Sequence, residues 1–484
     1  MHTRAVTRWP LAVAGAVVAL LLALAGRYGP HRDELYFVSA GQRLDWGYPD
    51  QPPLTPFVAA VADAVAPGSL FALRVLPALV AGMVVLLSAD IARELRGGRG
   101  AQILAAVVTG TGAGVLVLSH MLSTATLDLA AWTVVIWLTV RLLHRNNPRV
   151  WLLVGLALGV GLLNKHLVGL LAAGLSVGIV LTPSLRHHLR TPWPYAGAAV
   201  ALVLWLPNLA WQAANGWPQL ELAADIRDEY RTVAGGAQLL VMQLLLLNPL
   251  GAVLGGIGLV GALRRPDLRA VRPVAIAYLV LLPFFLLTGG KGYYLLGLLP
   301  PLAAAGSVVL AQRWATYRLK VLALAVGVTA LFPVPALLPV LSSETLDGTF
   351  YPALNEDAME TIGWPRVAAT VRSVVDELPA DQGDRAVVVT SNYGEAGALE
   401  WFDGELAVAS GHNGWAAWGP PPSGAAPVVW VGAAAPDDAL SGCEPAATLR
   451  TGVDNEEDGN GVWVCDGPSR SWERAWRLLR RLAA

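Results

Sequence analysis

The stretch Leu11–Tyr36, LAVAGAVVALLLALAGRYGPHRDELY, decides how the rest of the chain is read. Fifteen apolar residues, Leu11 to Ala25, stand behind Arg4 and Arg8 and run through a short turn into His31, Arg32, Asp33 and Glu34. Such a run is either a membrane span or the core of a cleaved signal peptide. Cleavage would remove the segment that orients everything downstream, so it reads as a retained first span. Asp33 and Glu34 then lie at a membrane edge. A charge near a bilayer core costs about 2.5–3.5 kcal/mol on insertion scales, so it is held there by a partner or a task.

Working outward, ten further apolar runs follow, giving about eleven expected spans: 11–26, 71–92, 101–118, 125–143, 150–164, 167–183, 195–211, 238–262, 273–288, 293–311 and 321–341. Hydrophobic residues make up 55% of the 484 positions and charged residues 14%, too few charges to cover a soluble protein of this size. The 50 Gly and 33 Pro fit membrane helices, whose neighbours re-satisfy a broken backbone. A net charge of -1 gives no sign of a nucleic-acid partner. With the N-terminus in the cytoplasm, inside segments carry 17 basic residues and outside loops 8, which supports an N-in, C-out topology in the cell membrane. Asp33, Glu34, Asp50, Asp128, Lys165 and Lys291 then gather on the extracytoplasmic side. The outer loop 27–70 also carries Tyr36, Trp46, Tyr48 and the Gln51-Pro52-Pro53 turn, an amphipathic pattern suited to short helices in the headgroup region. The other long outer loop, Trp211–Gly236, with Asp225, Arg227, Asp228, Glu229 and Arg231, reads as a solvated helix face.

Residues 1–341 therefore read as a membrane domain and 342–484 as a small α/β domain outside it. The tail has β-rich runs at 386–390, 427–432 and 461–465 and helical stretches at 364–377 and 395–402. Its last segment, Ser469–Ala484, sets Trp472 and Trp476 near one face among arginines, as in a helix packed on the domain or one lying on a membrane surface. Cys443 and Cys465, the only cysteines, share this outer domain and are expected to form a disulfide. No CxxC or His/Cys spacing points to a structural metal.

Several segments resemble one family. His31-Arg32-Asp33-Glu34-Leu35-Tyr36 after a first span, followed by Tyr48-Pro49-Asp50-Gln51-Pro52-Pro53-Leu54, resembles the first outer loop of the GT-C membrane glycosyltransferases of family 39. That group includes protein O-mannosyltransferases and aminoarabinose transferases. Thr126-Leu127-Asp128 resembles its second acidic position, Gly161-Leu162-Leu163-Asn164-Lys165 its lysine turn, and Lys291-Gly292-Tyr293-Tyr294 with Leu299-Pro300-Pro301 its late segment. The resemblance covers roughly 10–340. Ser391–Gly397, Ser410–Asn413 and Trp418–Pro421 also resemble tail segments of uncharacterised bacterial members, without implying a role. Gln51 departs from the family's basic residue before the Pro, and the Trp211–Gly236 loop lacks a histidine that some relatives place there.

The resemblance implies transfer of a sugar from a polyprenyl-phosphate donor to an acceptor hydroxyl by single inverting displacement. Such chemistry needs a carboxylate to take the hydroxyl proton and cations to meet the leaving phosphate. Asp33 is the expected base, with Glu34 beside it. Lys165, Lys291 and Arg32, with Tyr293 and Tyr294, are expected on the donor phosphate. Asp50 and Asp128 are expected to orient those cations or hold a divalent ion, Mg or Mn. The acceptor is a protein, a lipid or a cell-wall glycan. Two other readings stay open at this stage: a lipid-linked-sugar transporter or flippase, and a non-catalytic envelope assembly protein. Charges at one membrane edge, with no repeated halves, count against the transporter.

Overall fold

Apolar runs this long form helices because a bilayer leaves no other partner for the backbone. The computed structural model describes residues 8–352, 355–383 and 385–483; Arg4, in the expected inside count, and Ala484, at the end of the terminal segment, lie outside them. The helices run α1 Arg8–Leu24, α2 Arg32–Gly41, α3 Leu54–Val65, α4 Leu70–Glu94, α5 Arg99–Gly110, α6 Ala113–Leu118, α7 Thr124–Arg145 and α8 Trp151–Leu162. They continue as α9 Leu167–Val180, α10 Trp193–Ala214, α11 Pro218–Tyr230, α12 Val233–Leu245, α13 Asn248–Arg264, α14 Arg272–Thr288, α15 Leu299–Ala311 and α16 Thr316–Thr329. Four short turns of helix bridge to the tail: α17 Val334–Leu337, α18 Ser343–Asp347, α19 Glu356–Met359 and, beyond α20 Trp364–Asp376, α21 Ala380–Gly383.

Each of the eleven apolar runs is helical in whole or part, but not as eleven full-length rods. Among the described residues α4, α7 and α10 are long and apolar enough to cross a membrane. The count rises to five if two bent pairs each serve as one span: α9 with the 3-10 turn Pro183–Arg190, and α12 with α13, bent by 90°. The expected span 101–118 breaks at Thr111–Gly112, and 238–262 breaks after Leu246 where Asn248 takes a φ of 67°. These two breaks face each other. The Gly114 N–H donates to the Leu246 carbonyl at 2.9 Å, and a Cβ on Gly112 would lie 2.8 Å from Leu247 Cδ2. Each opened helix thus satisfies backbone of the other. Small residues set the remaining contacts: a Cβ on Gly258 would lie 1.9 Å from the Leu302 carbonyl, and one on Gly306 1.9 Å from that of Leu254, so α13 and α15 touch backbone to backbone. Outward faces keep Leu202, Val203 and Leu206 on α10 exposed, an apolar surface suited to lipid.

The tail builds a five-stranded sheet of order β2-β1-β3-β6-β5, from β1 Val387–Thr390, β2 Val408–Ser410, β3 Val428–Gly432, β5 Glu444–Thr448 and β6 Gly461–Cys465. β2, β1 and β3 are parallel; β6 and β5 add on antiparallel. A second pair, β4 Leu440–Ser441 and β7 Gly467–Pro468, lies beside it. Helices α20 and α22 (Tyr393–Phe402) cover one face through Val367, Val371 and Leu399; α23 (Asn413–Ala417) follows β2. The terminal helix α24 (Trp472–Leu479) packs Trp472 and Trp476 against the other face, next to Val389 and Trp430, so its apolar stripe is a core contact. Cys443 and Cys465 are bonded to each other, with 3.9 Å between their Cα atoms, beside the β5–β6 ladder.

Candidate active site

The first loop folds into α2 because its entry is capped from both sides. His31 Nδ1 accepts from the Asp33 N–H at 3.1 Å, and Glu34 Oε2 accepts from the His31 N–H at 3.0 Å. Helical spacing then turns the adjacent carboxylates different ways. Glu34 is fully buried and meets Arg74 of α4 at 2.7 Å, while its Oε1 accepts from the Leu122 N–H at 3.0 Å. Asp33 stays 36% exposed, and its Oδ1 accepts from the Tyr393 hydroxyl of α22 at 2.8 Å. Arg32 is committed to Glu360 at 3.5 Å and to Glu456, and lies over the Tyr393 ring.

Asp50 enters through Tyr36, whose hydroxyl donates to Asp50 Oδ1 at 2.8 Å and accepts from the Gly414 N–H at 3.1 Å. Burial, and to a smaller extent the charge of Asp33, push the Asp50 carboxyl up to about 7. Asp128 lies buried in the first turns of α7, its Oδ1 accepting from the Trp132 indole at 3.1 Å. The turn Asn164–His166 between α8 and α9 is tied to both neighbours. Asn164 accepts from the Thr55 hydroxyl at 2.7 Å and donates to the Thr124 carbonyl at 2.8 Å, while the Leu54 N–H donates to the Leu163 carbonyl at 2.8 Å. That clamp holds Lys165, whose ammonium stands 5.3 Å from the Tyr293 ring centre and 5.1 Å from that of Tyr294. Lys291 stands 5.7 Å from the Tyr230 ring centre. Among the described residues no carboxylate comes within 4 Å of either lysine. Tyr293 feels the charges of Lys291, Asp33, Asp357 and Asp128 together, so the first loop, α7 and the late segment converge on one place.

The structure therefore brings Asp33, Asp50, Asp128, Lys165, Lys291, Tyr293 and Tyr294 to one polar face, and turns Glu34 and Arg32 into ion pairs beside it. No three His, Cys, Asp or Glu gather as a metal site among the described residues; Asp50 and Asp128 are each engaged by an aromatic donor instead. Tyr393, Tyr36 and Tyr230 were not legible as site residues. Tyr230 comes from the loop read as a solvated face, whose Asp225, Arg227, Asp228 and Glu229 are indeed exposed. Arg74 carried a signal: an arginine four residues inside an apolar run needs a buried anion.

Residues 50–211 match the family described as dolichyl-phosphate-mannose-protein mannosyltransferase. Among solved structures, ArnT from Cupriavidus metallidurans bound to undecaprenyl phosphate superposes with a TM-score of 0.62 at 16% identity, over 94% of this chain and 97% of that one. Its apo form gives 0.61 over the same shares. The chain has the fold of these structures, which are GT-C glycosyltransferases. The arabinofuranosyltransferase AftD from mycobacteria shares this fold at a TM-score of 0.52 and 16% identity, over 97% of this chain but only 40% of AftD. No curated protein sequence matches the chain. The matched segment 50–211 contains Asp50, Asp128 and Lys165, so three residues of the polar face fall inside it.

Proposed function

We propose that this chain is a membrane glycosyltransferase that moves a sugar from a polyprenyl-phosphate donor to an acceptor hydroxyl at the extracytoplasmic face. The observation that carries the reading is a pairing of opposite needs on one polar face. Asp33 presents a partly exposed carboxylate held by the Tyr393 phenol, with the His31 ring 4.0 Å away, and Lys165 and Lys291 stand on aromatic rings with no carboxylate within 4 Å among the described residues. A phosphate between those lysines supplies the missing anion. The ArnT structure with undecaprenyl phosphate, alike in fold along nearly its whole length, supports a lipid-phosphate donor.

In this reading Asp33 takes the proton of the acceptor hydroxyl as its oxygen bonds to the anomeric carbon. The bond from that carbon to the phosphate oxygen breaks, the configuration inverts, and polyprenyl phosphate leaves against Lys165 and Lys291. Tyr293 and Tyr294 wall the lysine, and Asp128 sets the field behind it. Arg32 and Glu34 stay outside the reaction because each is held by another part of the protein. The contact of the first loop with the tail supports both lying on the same side of the membrane, which the basic-residue asymmetry makes the outside.

The test is transfer from radiolabelled polyprenyl-phosphate sugars by purified protein, with product identification. Asp33→Asn keeps the size and removes the proton acceptor, and should cost about 10²–10⁴-fold in rate. Lys165→Ala and Lys291→Ala should weaken donor use. A fully active Asp33→Asn variant refutes the assignment of the base.

A further inference from the structure

The tail segment Ser391-Asn392-Tyr393-Gly394-Glu395-Ala396-Gly397 lies on the first loop, far from it in sequence, and its hydroxyl-bearing side chain ends on the carboxylate proposed as base. We propose that Tyr393 is a positioning residue of the active site, through which the C-terminal unit holds the Asp33 carboxylate aimed. This deepens the reading above and rests on it.

Three observations converge on this contact. The first is the bond itself, 2.8 Å from the Tyr393 hydroxyl to Asp33 Oδ1. It occupies one carboxylate oxygen; the other, Oδ2, has His31 Nδ1 4.0 Å away, beyond hydrogen-bond distance, and can face an acceptor. A donor to the charged form of a carboxylate favours that form, and only the charged form can take a proton.

Second, the phenol has little freedom. Its ring lies 5.0 Å from Tyr36 and 4.9 Å from His412, with the Arg32 guanidinium 5.2 Å away over its face. Its backbone leaves β1 through a reciprocal cap: Asn392 Oδ1 accepts from the Glu395 N–H at 2.9 Å, and the buried Glu395 accepts from the Asn392 N–H at 3.1 Å and from the Ser391 hydroxyl at 2.9 Å. Burial first, and next the charge of Asp33, push the Tyr393 hydroxyl well above its ordinary range, so it remains a donor wherever the enzyme works.

Third, the glycines of this segment stand where side chains would prevent the contact. A Cβ on Gly394 would lie 2.8 Å from Arg32 Cβ, and one on Gly397 2.9 Å from Leu35 Cβ and 3.0 Å from the Leu35 backbone. The close approach of α22 to α2 brings the phenol within reach. The other two tail segments close on the same place. Gly414, next to Ser410–Asn413, donates to Tyr36, and Trp418 receives the Arg43 guanidinium at 4.5 Å.

The experiment compares the parent, Asp33→Asn, Tyr393→Phe and a variant with 3-fluorotyrosine at 393, all full-length. The readouts are kcat and donor KM for sugar transfer across pH, with gel filtration and melting temperature as folding checks. Tyr393→Phe should lower kcat about tenfold or more, leave donor KM within about twofold, and move the acid limb of the kcat profile to higher pH. The fluorinated phenol, a stronger donor of unchanged shape, should fold like the parent and move that limb to lower pH. Three outcomes overturn the proposal. If Asp33→Asn is dead while Tyr393→Phe matches the parent in kcat and limb, the base stands and Tyr393 does nothing. If Tyr393→Phe is slow but neither substitution at 393 moves the limb, its role is structural only. If Asp33→Asn keeps the parent rate, the base reading falls and this falls with it.

Discussion

Asp33 and Glu34 are the same chemistry one residue apart, and helix geometry separates their tasks by about 100° of turn. Glu34 accepts from Arg74, from the His31 N–H and from the Leu122 N–H, and is cut off from solvent. Removing one side of a buried pair leaves an uncompensated charge, so Glu34→Gln should lower stability by about 3–5 kcal/mol. Thermal unfolding in detergent measures this, and a parent-like melting temperature would show that Arg74 finds another anion. Asp50 makes a pH-dependent prediction. Its folded-state value, about 7, lies above the value of about 3.9 expected in an unfolded chain. Its contribution is complete below pH about 4 and is lost as pH rises through about 7, because the unfolded chain ionises first. The difference in melting temperature between Asp50→Asn and parent should therefore grow in favour of the variant over that window. A flat difference refutes the assignment. The Glu34–Arg74 pair was missed in the sequence, where Arg74 counted only as one of the eight outer basic residues; its place within an apolar run implied a buried anion, but nothing in the chain said which acid supplied it.

Among elements, α2 and α22 form the contact on which the site depends, and its tolerance is set by Gly397. Gly397→Val should push α22 away from Leu35, lower transfer activity by at least tenfold and expose the tail to limited proteolysis, with the Cys443–Cys465 bond intact. Gly424, whose Cβ would meet nothing within 4 Å, is the control position, and Gly424→Val should behave like the parent. Equal activity in both variants would show that the two helices do not need their close approach. Apolar periodicity located the long helices to within a few residues, since burial in lipid is a local property of composition. It could not place the breaks at Thr111–Gly112 and after Leu246, because Gly and Pro recur throughout these runs and only the mutual contact singles out two sites. β2 and β5 were missed for another reason: three residues, and an exposed Glu-Pro-Ala-Ala-Thr edge, carry no strand pattern of their own.

For the whole molecule, the contacts Tyr393–Asp33, Arg43–Glu400 at 2.6 Å and Arg32–Glu456 hold the sheet unit against the first loop. Two regions so joined occupy one side of a membrane. Both cysteines of the chain are in the disulfide, so a single introduced thiol labels without background. Ser69→Cys and Ser469→Cys should each react with an impermeant thiol reagent in intact cells. Reaction at either site only after lysis would reverse the proposed orientation.

The amino-acid sequence by itself determined the helical membrane character, the α/β tail, and the identity of most charges on the polar face. Each of these follows from composition and short-range spacing, which act within a few residues. Tertiary structure alone decided which of two adjacent acids is buried, which cations are already neutralised, and that the tail supplies the partner of Asp33. Those outcomes depend on contacts between residues hundreds of positions apart, such as Asp33 with Tyr393 and Arg32 with Glu456. No local pattern encodes such a contact, because the same Tyr-Gly-Glu-Ala-Gly would cap a helix equally well against any surface that its glycines fitted.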